Sequence, residues 1–565
     1  MQHLRAAQAA VEPAMADVEN PDAALAHLAD AAADTSAARA LTDDPIWAAA
    51  ESLPWIGPQL AAVSVTAAAV DDAASSAAPP LRSAAAIMAP GALRASDGAI
   101  DVDGVASAAP AAADAAARLR SAADRMSAID RRPLLRPLAT AVSSTAAVLD
   151  RAANAADALH RTTVLLPRML GAEGPRSTLL LFQNNAEWRS LGGVVGAVAQ
   201  VDTDEGRLTL QAQASSADVT AFADDPVLPL PDDIRGVYDT RPARYLQNTT
   251  QVPDFAVGAS IAREMWRRTT GTEVDAVVTL DPVALSYLLR ATGPVALPSG
   301  EQLDADSAVP LLLDEVYRRF SDPRDQDAFF QGASAAVFRA LADGRGDPAA
   351  LVQALTRAGD ERRLLVWNAD AADQAVLDGT TLQGALPVSD GARTTIGVYL
   401  DDGTGSKMDS YLHPRITAGW CDAGLATVHV DLRNDAPDPS TLPRYVTGGG
   451  DYGVPVGEAL TGVYVYLPPG CRGRRSTDVV ERHHGPGIRR RHPRRSERRE
   501  VVGAAGPRSD GRPGSRRADA AHAAPRARRD PDPRPRRTSA DRRVPVEGMN
   551  RPRGAGRGEV RCSPA

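Results

Sequence analysis

The spacing of apolar positions changes twice along the chain. Up to about residue 165 they recur at helical intervals through a text of Ala, Asp, Ser, Leu and Arg, with few β-branched or aromatic residues. Alanine has the best helix propensity, so this stretch predicts three or four long helices. Breaks fall near Pro45, at Pro54 and Pro58, at Pro79-Pro80, and around Gly91 and Gly104. In SLPWIGPQLAAVSVTAAAVDDAA (52–74), Pro54, Gly57 and Pro58 predict a turn with Trp55 and Ile56 as apolar anchors. No polar residues converge over 1–165, which reads as a bundle without a site; an interaction stalk is its functional reading.

The character changes at Arg176. STLLLFQNN is a short buried strand, and GGVVGAVAQVD (192–202) and RLTLQAQAS (207–215) are strands joined by an Asp204–Gly206 turn. VPDFAVGASIAREMWRRTTG (252–271) predicts a helix stopped by Gly271, VDAVVTLDP (274–282) a buried strand, and VALSYLLRATG (283–293) a helix ending at Gly293. Helices over 305–320, 324–343 and 347–359 and a strand over 362–370 complete an α/β layer at 176–390. From Thr394 the text becomes all-β. TIGVYLDD, YLHPRITAGW, LATVHVDLRN and GVYVYLPPG alternate with period two, the mark of a truncated β-sandwich over 394–470. The fold class expected is therefore multidomain α+β: helical bundle, central α/β domain, incomplete sandwich and tail.

Charge divides the chain further. Its 565 residues carry a formal net charge of −8, but residues 471–565 hold 27 arginines against 11 acids, while residues 1–470 hold 36 basic residues against 60 acids. The folded part is acidic, which argues against a nucleic-acid binder. The last 95 residues contain no Leu, Phe, Trp or Tyr and cannot bury enough apolar surface to fold. Because the change after VYVYLPPG is abrupt, 471–565 is read as frameshifted text, with a disordered basic tail as the other reading. The basic residues are 62 arginines and one lysine, Lys407, a skew that points to GC-rich coding DNA. Three cysteines exclude a disulfide-dense scaffold or a cysteine-rich zinc module. There is no run of 18 apolar residues and no signal-peptide pattern at the start.

Candidate chemistry is sparse. Asn184, Asn185, Glu187 and Arg189 follow a buried strand and precede Gly192 and Gly193. Strand ends in open α/β sheets are where ligands bind, so this group is either an anion or ligand site or an internal network with the glycines in a tight turn or bulge. Arg241, Arg244 and Asn248 form a second polar group, read as an anion cradle with Arg189 or as loop arginines bridging carboxylates. Arg318, Arg319, Asp322 and Arg324 form a third, read as part of the same anion site or as a solvated helix terminus. GxSxG, HExxH and CxxC do not occur, and no catalytic residue, metal ligand or cofactor is assigned.

LLLFQNNAEWRSLGGVVGAVAQVDTDEGRL, VPDFAVGASIAREMW and VDAVVTLDPVALSYLLRATGPV, in this order, resemble the domain of unknown function (DUF) 4012 family. That family carries motifs of the type QNxxExRxxGGxxG, an NxTxxPDFP segment and VDGVIxxDPxALxxLLxATGPV. The departures are Trp188, Ser190-Leu191 and Ala256. The likeness extends over about 20–470. It implies an actinobacterial-type cell-envelope protein, anchored by one transmembrane helix upstream of this text and placed outside the cell, with envelope glycans or envelope proteins as partners. A fainter similarity, over VDAVVTLDPVALSYLLRATGPVAL, SGEQLDA and YRRFSDPRDQDAFFQ, is to the LytR-CpsA-Psr phosphotransferases. Those enzymes move glycopolymer from a pyrophosphoryl lipid to the cell wall with Mg²⁺. In that reading Arg318, Arg319, Asp322 and Arg324 would match the family's Arg-rich helix, since a pyrophosphate requires several arginines in fork geometry. The family's Arg-Ser-Asp segment is here Arg189-Ser190-Leu191, without the aspartate. The reading taken forward is a non-catalytic extracytoplasmic binding or scaffold module, with the transferase as alternative.

Overall fold

The computed structural model describes residues 21–88, 94–95, 98–219, 222, 225–389, 394–421, 425–467, 472–474 and 558–561. Four long helices form the first layer: α1 (Pro21–Thr42), α2 (Gly57–Met88), α3 (Ala109–Ser127) and α4 (Arg136–Met169). They pack antiparallel around an alanine-rich core that includes Ala69, Ala122, Met126, Val142 and Leu149. Small side chains let the helices approach closely. Arg39 ties α1 to α2 through Asp71 and Asp72 at 3.2 and 2.7 Å, and Arg125 on α3 reaches Asp72 at 2.6 Å. α2 runs unbroken through Pro79-Pro80, against expectation. Trp55 and Ile56 are not anchors: Trp55 is 81% exposed and Ile56 is exposed too.

The second layer is a five-stranded mixed sheet of β1 (Arg176–Arg189), β2 (Gly192–Asp204), β3 (Arg207–Ser215), β4 (Ala276–Leu280) and β5 (Val366–Asn368), in the order β3-β2-β1-β4-β5. β1 pairs antiparallel with β2 and parallel with β4. α5 (Phe255–Thr270) covers one face, burying Phe255, Met265 and Trp266; the Trp266 Nε1–H donates to Gln200 Oε1 at 3.0 Å. The other core gathers α6 (Pro282–Thr292), the turns of 308–319 and α7 (Pro323–Ala342), with α8 (Pro348–Asp360) beyond. Three of these helices open on Asp-Pro. The carboxylates of Asp281, Asp322 and Asp347 cap Ala284, Arg324 and Ala350 N–H groups at 2.7–2.9 Å, and proline takes the first position, where its missing N–H costs nothing.

The bundle docks on the sheet through the predicted Asp204–Gly206 turn. Gly206 N–H donates to Leu170 O at 2.9 Å, and Ile100 N–H donates to Gly206 O at 3.0 Å. Gly206 has φ +78, and a β-carbon there would lie 2.0 Å from the Ile100 oxygen. Gly206→Ala is therefore expected to lower stability by about 1–3 kcal/mol, read as a shift in the urea midpoint; an unchanged midpoint would contradict this docking.

Residues 394–467 do not make one sandwich. β6 (Gly397–Asp402) pairs with β9 (Thr461–Tyr466), while β7 (Leu412–Cys421) and β8 (Leu425–Asn434) form a separate hairpin. Met408, Leu442 and Val446 are buried in the same core as α6 and α7, so this stretch closes over the central domain. The Tyr466 and Tyr238 hydroxyls, 3.0 Å apart, tie β9 to the short helix Asp232–Tyr238. Of the tail, Arg472–Arg474 and Gly558–Arg561 are short strands extending the β7–β8 hairpin; the rest of the expected frameshifted, disordered stretch lies outside the described residues. Among the described residues, no helix is long and apolar enough to cross a membrane.

Candidate functional site

The end of β1 is thrown out of register with β2 by irregularities between Phe182 and Gln183 and between Asn184 and Trp188. Gly193 pairs with Trp188, where a β-carbon would fall 2.2 Å from the Asn184 carbonyl oxygen. Gly192 has φ +130. Gly193 thus serves the close passage of two backbones around the bulge, and Gly192 supplies the positive φ, with the Gln183 side chain 2.6 Å from where its β-carbon would stand. The bulge turns Glu187 toward the segment after β6.

Glu187 lies at the centre of a buried ion-pair cluster. Its Oε2 accepts from Lys407 Nζ at 2.8 Å, and its Oε1 accepts from Arg189 Nη2 at 3.1 Å. Arg189 also donates to Trp188 O at 2.7 Å and to Asn248 Oδ1 at 3.3 Å. The Lys407 ammonium sits 5.5 and 5.8 Å from the ring centres of Tyr317 and Tyr445, which stack on each other. The Tyr317 hydroxyl takes a hydrogen bond from Asn184 Nδ2. Lys407 and Arg189 side chains are only 8% and 9% exposed, so these charges interact with little solvent screening. Burial pushes the Glu187 carboxyl up, but the Lys407 and Arg189 charges outweigh it and hold it below the usual range. Burial works against the Lys407 ammonium, and the Glu187 charge more than restores it.

Three more carboxyls close the cluster. Asp401 accepts from Ser190 Oγ at 2.9 Å, Asp409 from Trp188 N–H at 2.7 Å, and Asp402 from Thr404 and Gly405 N–H at 2.8 and 2.6 Å. Burial pushes Asp401 up to about 7 and Asp409 up to about 8, the latter helped by the Asp402 charge. Burial also raises Asp402, helped by Glu187.

The predicted residues separate. Glu187, Arg189 and Asn248 come together. Asn185 is beside them in sequence, and its Oδ1 is buried with no hydrogen-bond partner. Arg244 lies 5.5 Å from the Tyr245 ring with its Nε buried and without a hydrogen bond. Arg241 opens a 3₁₀ turn, and no ion pair to its side chain is described. Arg319 is paired outward with Glu301 and Glu315 at 2.7 and 2.8 Å, and Arg318 with Asp314 at 2.9 Å. Asp322 serves as a helix cap, and Arg324 is exposed. Among the described residues, no three His, Cys, Asp or Glu side chains are placed to hold a metal ion.

Lys407, Asp401, Asp402, Asp409, Tyr317 and Tyr445 were not singled out as site residues from the sequence. One signal was available: a single lysine in a chain with 62 arginines. Near the cluster, where β1 runs past the end of β4, an apolar cavity is lined by Phe182, Leu280, Leu285, Leu312 and Phe330, with Asn184 at its polar side.

The fold and cluster define a mixed α/β domain locked by an internal ion-pair network and carrying a helical bundle. Residues 173–317 match the family model described as protein of unknown function (DUF4012), a span that holds β1 to β4 and Tyr317. This is narrower than the 20–470 suggested by the motifs. No curated protein matches the chain.

Proposed function

We propose that the protein is a non-catalytic extracytoplasmic module of an actinobacterial-type cell envelope, binding or scaffolding envelope glycan or protein. One observation carries this reading. The charged residues of the strongest motif, Glu187 and Arg189, are committed to Lys407, Asn248 and backbone, leaving the motif to hold the domain together. A transferase acting on pyrophosphoryl lipid needs several arginines forked on one anion. Here Arg189 is paired internally and Arg319 is paired on the surface. The alternative, a LytR-CpsA-Psr-like transferase, draws support from the small apolar cavity beside Asn184, at the end of β1.

The test uses the full chain with purified cell-wall sacculi and with pyrophosphoryl-lipid-linked glycopolymer. Saturable co-sedimentation that survives chelation of Mg²⁺, with the glycopolymer still on its lipid, is expected. Mg²⁺-dependent transfer of glycopolymer to the wall would overturn the reading in favour of the transferase. Failure to co-sediment with sacculi or with envelope extracts would remove the binding role.

A further inference from the structure

Six of the sixteen large hydrophobic side chains exposed among the described residues lie at one end of the helical bundle. Leu41 lies in the last turn of α1, Ile46, Leu53, Trp55 and Ile56 come from the crossover between α1 and α2, and Leu135 from the loop between α3 and α4. Ile46 is 80% exposed and Leu135 69%. The two loops form one surface. Gln59 Nε2 donates to Pro133 O at 2.7 Å, and Leu135 N–H donates to Gln59 Oε1 at 3.0 Å. Trp55 is held outward with φ +51, a backbone conformation strained for a bulky aromatic residue. Exposed apolar patches of this kind mark interaction sites.

Charge on the rim selects the partner. The α1–α2 crossover contributes Asp43, Asp44 and Glu51 and no basic residue between 41 and 57. Asp43 lies 3.7 Å from Arg39 at the end of α1, Asp44 caps Ile46 N–H, and Glu51 accepts from Ser64 Oγ, which leaves the edge acidic by two charges with Arg39 counted. The α3–α4 loop contributes Arg131, Arg132 and Arg136 against Asp130. Arg132 pairs with Asp130 at 2.9 Å, while no ion pair to Arg131 or Arg136 is described. An apolar centre with one acidic edge and one basic edge is self-complementary under a two-fold rotation: acidic edge meets basic edge, and centre meets centre. An anionic lipid surface would meet repulsion along the acidic half. We propose that the bundle tip is a dimerisation surface for a second copy of this chain, centred on Ile46, Trp55 and Leu135. The proposal rests on the tip alone and not on the envelope role. α4 has 34 residues, so each bundle reaches about 50 Å at the helical rise, and an end-to-end dimer holds its two central domains on the order of 100 Å apart.

Sedimentation velocity of the full chain across a concentration range tests this. The wild type is expected to form an elongated dimer, and Trp55→Glu with Leu135→Glu to be monomeric with unchanged helical circular dichroism. Arg131→Asp with Arg136→Asp is expected to weaken dimerisation about tenfold or more. Adding Asp43→Arg to that chain restores part of the complementarity and should recover part of the dimer; Asp44 and Glu51 are left in place because they accept from Ile46 N–H and Ser64 Oγ. A wild type that stays monomeric, a dimer that survives the Trp55 and Leu135 changes, or charge reversal without rescue would overturn the proposal. So would a solution monomer that floats with anionic vesicles through Trp55.

Discussion

Lys407→Met is expected to destabilise the protein by about 3–5 kcal/mol, because removing one partner of a buried ion pair leaves the other uncompensated. Glu187 would keep only Arg189, at 3.1 Å, while still buried. Glu187→Gln should be costly for the mirror reason, leaving the Lys407 ammonium beside the two stacked rings with no anion at 2.8 Å. Combining Glu187→Gln with Lys407→Met should recover much of the loss, since a neutral pair of similar volume no longer strands a charge. Urea unfolding of the four proteins gives the coupling. A Lys407→Met protein within 1 kcal/mol of wild type would contradict the role assigned to the cluster. Lys407 also supplies its own reporter, as the only side-chain amine of the chain. An amine-reactive reagent should label it slowly in the native protein, at a rate that follows opening of the 403–411 segment, and Glu187→Gln should accelerate that labelling.

The elements were legible in the sequence because their signals are local. Asp-Pro at 281–282, 322–323 and 347–348 starts helices, Gly271 and Gly293 end them, and the Asp204–Gly206 turn joins two alternating strands. The cluster was not legible because its parts are distant in the chain. Glu187 and Lys407 are separated by 220 positions, and DDGTGSKMDS reads locally as a polar turn between strands. Its burial follows from charges on β1 that the turn itself does not encode. The same turn explains why no single sandwich formed: Met408 enters the core shared with α6 and α7 and separates β6 from β7. Trp55 was misread for the opposite reason. An aromatic beside prolines at a helix start reads as a staple on the turn, whereas Trp55 takes φ +51 and is 81% exposed.

Stability is expected to fall as pH rises from about 5 to about 8, against the usual behaviour of carboxylates. Asp401 and Asp409 have folded values of about 7 and about 8, raised from 3.8, so the folded protein holds protons there that the unfolded chain releases. Their contribution is complete below 3.8 and is lost as pH passes through the folded values. Glu187 runs the other way. Its folded value is lowered, so its contribution is present above 4.5 and disappears on further acidification. Asp409 faces Asp402, Glu187, Arg189 and the Trp188 N–H, while Asp401 faces Arg189, Ser190 and Gln251. Asp409→Asn should therefore flatten the decline and be more stable than wild type at about pH 9, where the wild-type carboxylate is charged and buried. Asp401→Asn should do the same to a smaller extent, its folded value being lower. Urea midpoints between pH 5 and pH 9 decide the matter: a flat wild-type profile, or an Asp409→Asn protein weaker than wild type at pH 9, would show that the cluster is not protonated as argued. The direction follows from the charges present. Four carboxyls meet two cations, and with Asp401 and Asp409 neutral the remaining Glu187 and Asp402 balance Lys407 and Arg189. Each proton lost beyond that point leaves an unmatched negative charge in a site with little water to screen it.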